Sequence, residues 1–328
     1  MKLLKLIPDH TNIHFLRWQW PFFITNILAM AASVVLLFTY GLNLGVDFVG
    51  GQMIRVTFEQ SATAPVAKLR DSVDSLGFGE PVIQTFGKPN EVSVRMKLPE
   101  GSEDNPKLAD GMARKITAKV RQDFADARVD GVDSVSGKVS GELFHTGMLA
   151  LGLAMVFISI YIWIRFEWQF AVGALFALVQ DILLTVGMFS LTQMEFDLNI
   201  VAALLTLLGY SLNDKIVVYD RIRENMKKHR RMPMNELLDL SVNETLSRTI
   251  ATSLSVLIML VSLLALGPDV IFGITAAITL GIFIGTYSSI FMSAPILVWL
   301  GVKSDTFVKQ ESEIDRQDRL ARERGAQP

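Results

Sequence analysis

Leu198 to Val218 reads LNIVAALLTLLGYSLNDKIVV, an apolar run that keeps a carboxylate at Asp214 and an amine at Lys215. A helix needs about 20 apolar residues to cross a bilayer, and this run is long enough. An ionisable group inside the hydrocarbon costs at least roughly 2.5–3.5 kcal/mol by insertion scales, so a span that retains one does so for a reason. Outward from it, Pro21–Tyr40, Leu143–Ile164, Gln169–Leu191, Arg248–Leu266 and Val270–Leu300 meet the same length test. These six stretches predict a polytopic α-helical membrane protein. Pro21–Tyr40 follows varied sequence and is too long for the apolar core of a signal peptide, so an uncleaved anchor is expected.

Composition removes other classes. The 328 residues hold 31 Lys+Arg against 33 Asp+Glu, which leaves no basic surplus for phosphate backbones, and no nucleic-acid partner is expected. With no cysteine, disulfide frameworks, thiol nucleophiles and Cys-ligated metal sites are excluded. The four histidines, His10, His14, His145 and His229, show no metal-ligand spacing, so neither a metal nor a catalytic centre is expected.

Orientation follows from the short connections. Arg221, Arg223, Lys227, Lys228, Arg230 and Arg231 lie between the fourth and fifth spans, whereas Thr192–Asp197 carries acids only and the next outer loop offers Asp269. The positive-inside rule then puts both termini and the basic segment in the cytoplasm. Trp18, Trp20, Trp163, Trp168 and Trp299 all fall at those same helix ends, as an interfacial belt would. The expected division is 1–20 as a cytoplasmic segment, 21–41 as the first span, 42–141 as an extracytoplasmic domain, 142–302 as five spans with a basic loop at 219–247, and 303–328 as a solvated tail.

The insert after the first span alternates strand and helix. Gln52–Phe58, Pro81–Phe86, Glu91–Leu98 and Ala127–Lys138 read as strand-bearing segments, and Pro65–Leu76 and Pro106–Phe124 as amphipathic helices. That βαββαβ order predicts a ferredoxin-like α+β domain.

Polar residues recur on the spans at helical spacing. Gly173, Ala177, Asp181 and Thr185 form one stripe, with Asp181 about 19 Å from the cytoplasmic end by helical rise. Thr206, Tyr210 and Asp214 form a second with Ser211 beside them, and Arg248, Thr252 and Ser255 a third. Such faces let helices approach and satisfy one another's polar groups. One reading is an ion relay, in which Arg248 moves relative to Asp214 and changes its proton affinity. The other is a static ion pair that keeps helices in register. An intramembrane aspartyl protease would need two aspartates sharing a proton, but the flanks ALVQD and GYSLND lack that class's motifs and the depths of Asp181 and Asp214 differ.

Four ordered motifs carry a family resemblance across nearly the whole chain. GVDFVGG (Gly45–Gly51), GYSLNDKIVVYDRIREN (Gly209–Asn225), NETLSRTIATS (Asn243–Ser253) and GIFIGTYSSIFMSAP (Gly281–Pro295) resemble the SecF family, the smaller half of the bacterial SecDF protein-export factor. The resemblance implies the resistance–nodulation–division superfamily, with this chain as one six-helix half of a twelve-helix bundle. It further implies an inner-membrane subunit that pairs with SecD, associates with the SecYEG channel and with YidC and YajC, and uses the ion gradient to draw precursor polypeptides out on the periplasmic side. The transported ion would be a proton, with sodium as the alternative, and no bound cofactor is implied. Asp214, Arg248 and Asp181 would be the ion-coupling residues, supported by Tyr210, Ser211, Asn213 and Thr252. Gly45, Asp47, Gly50 and Gly51 would form the periplasmic connection, with Asp47 capping a turn. A small-molecule or lipid transporter half of the same superfamily is the competing reading, and a purely structural assembly subunit is a third.

The chain departs from that family pattern at two positions. Gln180 stands where His is common, and Lys215 where a small hydroxyl residue is common. One helical step turns a side chain by about 100°, so Lys215 is expected to face away from Asp214 and snorkel to the nearby surface.

Overall fold

The structure is a computed structural model that describes residues 11–79, 81–85, 88–96, 106–135, 137–268 and 271–302. The expectations for residues 1–10, Phe86, Leu98, Asp269, Val270 and the tail from Lys303 lie outside the described residues.

Among the described residues, six helical stretches are long and apolar enough to cross a membrane. A 3-10 turn at Leu16–Trp18 leads into α1 (Gln19–Thr39), and the one-turn α2 (Val46–Val49) opens the insert. The remaining long helices are α5 (Gly137–Arg165), α6 (Trp168–Thr192), α7 (Leu198–Lys228), α8 (Met234–Leu266) and α9 (Phe272–Phe291), the last followed by α10 (Ser293–Trp299). The break at Met292 follows from Pro295, which has no N–H to offer the Phe291 carbonyl and whose ring crowds it.

The basic segment is mostly helix. α7 runs on past Val218 to Lys228, and α8 begins at Met234, before Arg248. Pairs at helical spacing, Arg221–Glu224 and Glu224–Lys228, support that continuation, and Arg221 also reaches Glu244 on α8 at 2.6 Å. Beneath them Val218, Ile222 and Met226 pack on Leu237, Leu238 and Val242 in one apolar cluster. The residues before α1 are tied to this unit. Ile13 N–H donates to Asn243 Oδ1 at 3.0 Å, and Leu16 N–H to Asp239 Oδ1 at 2.9 Å. All five tryptophans lie at this end of the bundle and all are exposed, with Trp20 and Trp299 rings 5.4 Å apart.

The insert forms a four-stranded antiparallel sheet in the order β2-β3-β1-β4, from β1 (Gly51–Phe58), β2 (Val82–Thr85), β3 (Glu91–Met96) and β4 (Ala127–Val135). With α3 (Val66–Asp74) between β1 and β2 and α4 (Pro106–Asp123) between β3 and β4, this is the expected ferredoxin-like arrangement. Period-two alternation sends Ile54, Val56, Phe58, Val92 and Val94 to one face, where they meet Leu69 and Val73 of α3 and Ile116 and Val120 of α4. Arg55, Ser93 and Arg95 occupy the other face. The register of β1 on β4 shifts between Arg55 and Val56, a bulge that bends this edge of the sheet.

The domain sits on the bundle through the glycine motif. Gly45 N–H donates to Phe196 O at 2.9 Å, and Phe196 N–H to Asn43 O at 2.8 Å, so the strand-like entry pairs with the α6–α7 connection. A Cβ on Gly45 would meet Glu195 Oε1 at 3.0 Å and Asp197 Cβ at 3.1 Å, which explains the glycine. Gly50 and Gly51 take positive φ, 75° and 115°, to turn the chain from α2 into β1. Asp47 Oδ2 accepts from Leu198 N–H at 3.0 Å, so its carboxylate caps α7 together with Asp197, which accepts from Ile200 N–H.

Candidate functional site

α7 carries acid and base side by side, and its twist sends them to different neighbours. Asp214 is buried and faces α8, where Ser253 Oγ donates to its Oδ2 at 3.4 Å. Thr286 Oγ1 of α9 lies 2.8 Å from the same Ser253 hydroxyl, and the Tyr210 hydroxyl lies 3.5 Å from it. The result is a hydroxyl cluster with a single carboxylate at its end.

Lys215 goes the other way. Its side chain is fully buried, against the expected path to the surface, and its ammonium lies 2.9 Å from Asp181 Oδ2 on α6. The ammonium also donates to Ser211 Oγ and, at 3.1 Å, to Ser288 Oγ of α9. Three N–H donors thus meet three oxygens, and Ser211 in turn donates to Asp181 Oδ2 at 2.5 Å. Snorkelling is ruled out by packing, because α6 and α9 close over this face of α7. Gly281 and Gly285 allow that approach. A Cβ on Gly285 would stand 2.9 Å from Ser211 Oγ, and one on Gly281 2.6 Å from Leu207 Cδ1.

The remaining residues of the three stripes divide in the same way. Gly173, Ala177, Asp181 and Thr185 are all buried, and the Thr185 hydroxyl satisfies the Asp181 backbone carbonyl instead of its carboxylate. Gln180 turns from Asp181 toward α1, where it donates to Asn26 Oδ1 at 2.7 Å, and Asn26 donates to the Tyr287 hydroxyl at 2.9 Å. On α7 and α8, however, Thr206, Asn213, Arg248, Thr252 and Ser255 are exposed. Arg248 closes no ion pair with Asp214 among the described residues, and Thr252 and Ser255 bond to their own helix. The structure therefore joins Asp181 with Ser211, joins Asp214 with Tyr210 through Ser253, and leaves Arg248, Asn213 and Thr252 on an open face.

Sequence reasoning did not single out Ser253, Thr286 or Ser288. Each falls within a quoted motif, and hydroxyls on an otherwise apolar helix were the available signal. Nor did it pair Lys215 with Asp181, although Ser211 and Lys215 are four apart on one face.

A second polar meeting point lies between domain and bundle. Arg95 of β3 reaches Glu195 of the α6–α7 connection at 3.5 Å and Asn43 at 3.4 Å, while Asn43 donates to Gln84 Oε1 at 3.0 Å. Asn43, Gln84 and Glu195 border a cavity of about 740 Å³ between the open sheet face and the start of α9. Burial pushes the Glu195 carboxyl above the usual range. Arg95 opposes the shift, Asp197 adds to it, and Arg55 and Asp133 act in opposite directions. Among the described residues no cluster of His, Cys, Asp or Glu could hold a metal ion.

Comparison with known proteins agrees with this architecture. Residues 115–303 match the family described as protein export membrane protein SecD/SecF, C-terminal, and residues 35–62 match the SecD/SecF GG motif. The protein translocase subunit SecF of Rhodobacter capsulatus is 41% identical over 319 residues, 94% of this chain and 95% of the relative. That of Cereibacter sphaeroides is 44% identical over 303 residues, 91% of this chain and 93% of the relative. The crystal structure of SecDF, a translocon-associated membrane protein from Thermus thermophilus, superposes with a TM-score of 0.81 at 32% identity over 90% of this chain. This chain spans 39% of the length of that SecDF chain. With both family segments in order and relatives alike over nearly their full length, the chain belongs to the SecF side of the SecD/SecF family of protein export membrane proteins.

Proposed function

We propose that this chain works with SecD in the bacterial inner membrane, where loading and release of an ion at Asp214 drive the periplasmic stage of precursor export through SecYEG. YidC and YajC are further partners in this reading, both termini are cytoplasmic, and the subunit performs no catalysis. The observation that carries it is the setting of Asp214, a buried carboxylate at membrane depth beside an uncovered polar face. Thr206, Asn213, Arg248, Thr252 and Ser255 are costly against lipid, and a second six-helix half seated there would cover them. Arg248 would then approach Asp214 from the open side, and their separation would set when the carboxylate gains or loses its proton.

One charge crossing 100 mV releases about 2.3 kcal/mol, enough for a several tens-fold shift between two states of the bundle. The ferredoxin-like domain would follow that shift, because the Gly45–Gly51 segment and the Asp47 cap join it directly to α7. The proton is the coupling ion in this account. The test is export of a secreted precursor in cells depleted of their own SecF and supplied with this chain or its Asp214→Asn variant at equal membrane levels. Loss of export by a variant that still co-purifies with SecD supports the reading, and normal export refutes it.

A further inference from the structure

Lys215 and Asp181 form a buried ion pair that the proposed coupling step does not use. Their side chains are 0% and 1% exposed, and they sit on α7 and α6 with Ser288 of α9 completing the enclosure. The ammonium is held as a small cation would be held, by one carboxylate oxygen and two hydroxyl oxygens. The cage has spare capacity, since Asp181 Oδ1 is buried without a hydrogen-bond partner among the described residues. No other charged side chain hydrogen-bonds to these groups among the described residues. Asp214, next along α7, bonds instead to Ser253.

We propose that Asp181, Ser211 and Ser288 form a monovalent-cation cage that Lys215 occupies with its own tethered charge. The carboxylate of Asp181 is neutralised by a cation that cannot leave. A free sodium ion would have to displace an ammonium already satisfied on all three donors, and a proton arriving at Asp181 would leave that ammonium buried without its counter-charge. The cage therefore holds α6, α7 and α9 at fixed charge throughout the cycle. Ion loading is confined to Asp214. This last step rests on the coupling role proposed above, whereas the cage itself does not.

The test uses the full-length chain purified in detergent, with thermal unfolding midpoints taken in sodium chloride and in choline chloride at equal ionic strength. Wild type should show no difference between the salts. Lys215→Ser removes the tethered charge and supplies one more oxygen. In choline its midpoint should fall by roughly 6–20 °C, as expected when one partner of a buried pair is removed. Sodium should recover part of that loss. The double variant Asp181→Asn with Lys215→Met removes both charges and should lie well above the single variants Asp181→Asn and Lys215→Ser in both salts. Equal midpoints for Lys215→Ser in the two salts would overturn the cage, and a double variant no better than the singles would overturn the pairing.

Export separates this inference from the reading beneath it. The double variant should still support export, whereas its loss in an assembled complex would show that Asp181 or Lys215 takes part in the cycle. Normal export by Asp214→Asn would refute the coupling role while leaving the salt-dependent midpoints as evidence for the cage.

Discussion

The Lys215 ammonium stands 2.9 Å from Asp181 Oδ2, while Asp214, the residue before it, turns to Ser253 on another helix. Successive helical residues diverge by about 100°, so α7 presents its two charges to two separate interfaces. One interface lies inside this half-bundle and is closed. The other opens on a polar face that no part of the described chain covers. In the proposed reading, this division separates a structural charge from one placed to exchange an ion.

Arg248 tests the division most simply. It is exposed and makes no ion pair with Asp214 among the described residues, so Arg248→Ala should change the unfolding midpoint of the isolated chain by little, within about 0.5 kcal/mol. In the assembled complex it should lose export stimulation. A variant that unfolds early but exports normally would show that Arg248 has a packing role instead.

The glycines of α9 should respond unequally. A Cβ at Gly281 meets the two methyls at the rotatable end of Leu207, a side chain that is itself buried. At Gly285 it meets Ser211 Cβ at 3.1 Å, on the stiff stem of a cage residue. Gly285→Ala should therefore destabilise by about 1–3 kcal/mol and Gly281→Ala by less, as measured by unfolding midpoints in detergent.

Asp47 acts through geometry rather than charge. Its Oδ2 accepts from the Leu198 N–H at 3.0 Å, a cap supplied from across the chain. Asp47→Ala should cost about 1 kcal/mol, and Asp47→Asn, which keeps an acceptor, much less. If Asp47→Asn matched Asp47→Ala in stability, the charge and not the cap would be the contribution.

Glu195 gives the domain contact a pH dependence of known sign. Its folded pKa is raised by burial above the ordinary 4.5. Its stabilising contribution is thus complete below the unfolded value and is lost as pH rises through the folded value. Glu195→Gln removes that loss, so the variant should gain on wild type as pH is raised from about 4 to 8, read as the difference in unfolding midpoint. A difference that does not vary with pH would contradict the assignment.

Much of this fold is legible in the chain, because bilayer length and strand alternation are local signals. The spans and the βαββαβ order follow from them. The helical course of residues beyond Val218 is not, since hydropathy stops there while helix continues on ion pairs such as Glu224–Lys228. Lys215 shows the same limit within the site. Its direction away from Asp214 follows from helical geometry, but whether that direction leads to water or into the core depends on where α6 and α9 pack. Those contacts join residues far apart in sequence, and no local pattern encodes them. The exposure of Arg248, Thr252 and Ser255 is of the same kind, for their spacing identifies a shared face but not what lies opposite it.

The central claim is that Asp214 takes up and releases the ion that drives export. The most direct measurement is precursor translocation into inverted membrane vesicles carrying SecD with either this chain or Asp214→Asn at matched levels, with and without an uncoupler. The account predicts that stimulation by the wild-type chain disappears when the gradient is collapsed, and that Asp214→Asn gives none under either condition. Gradient-dependent stimulation that survives in Asp214→Asn would contradict it.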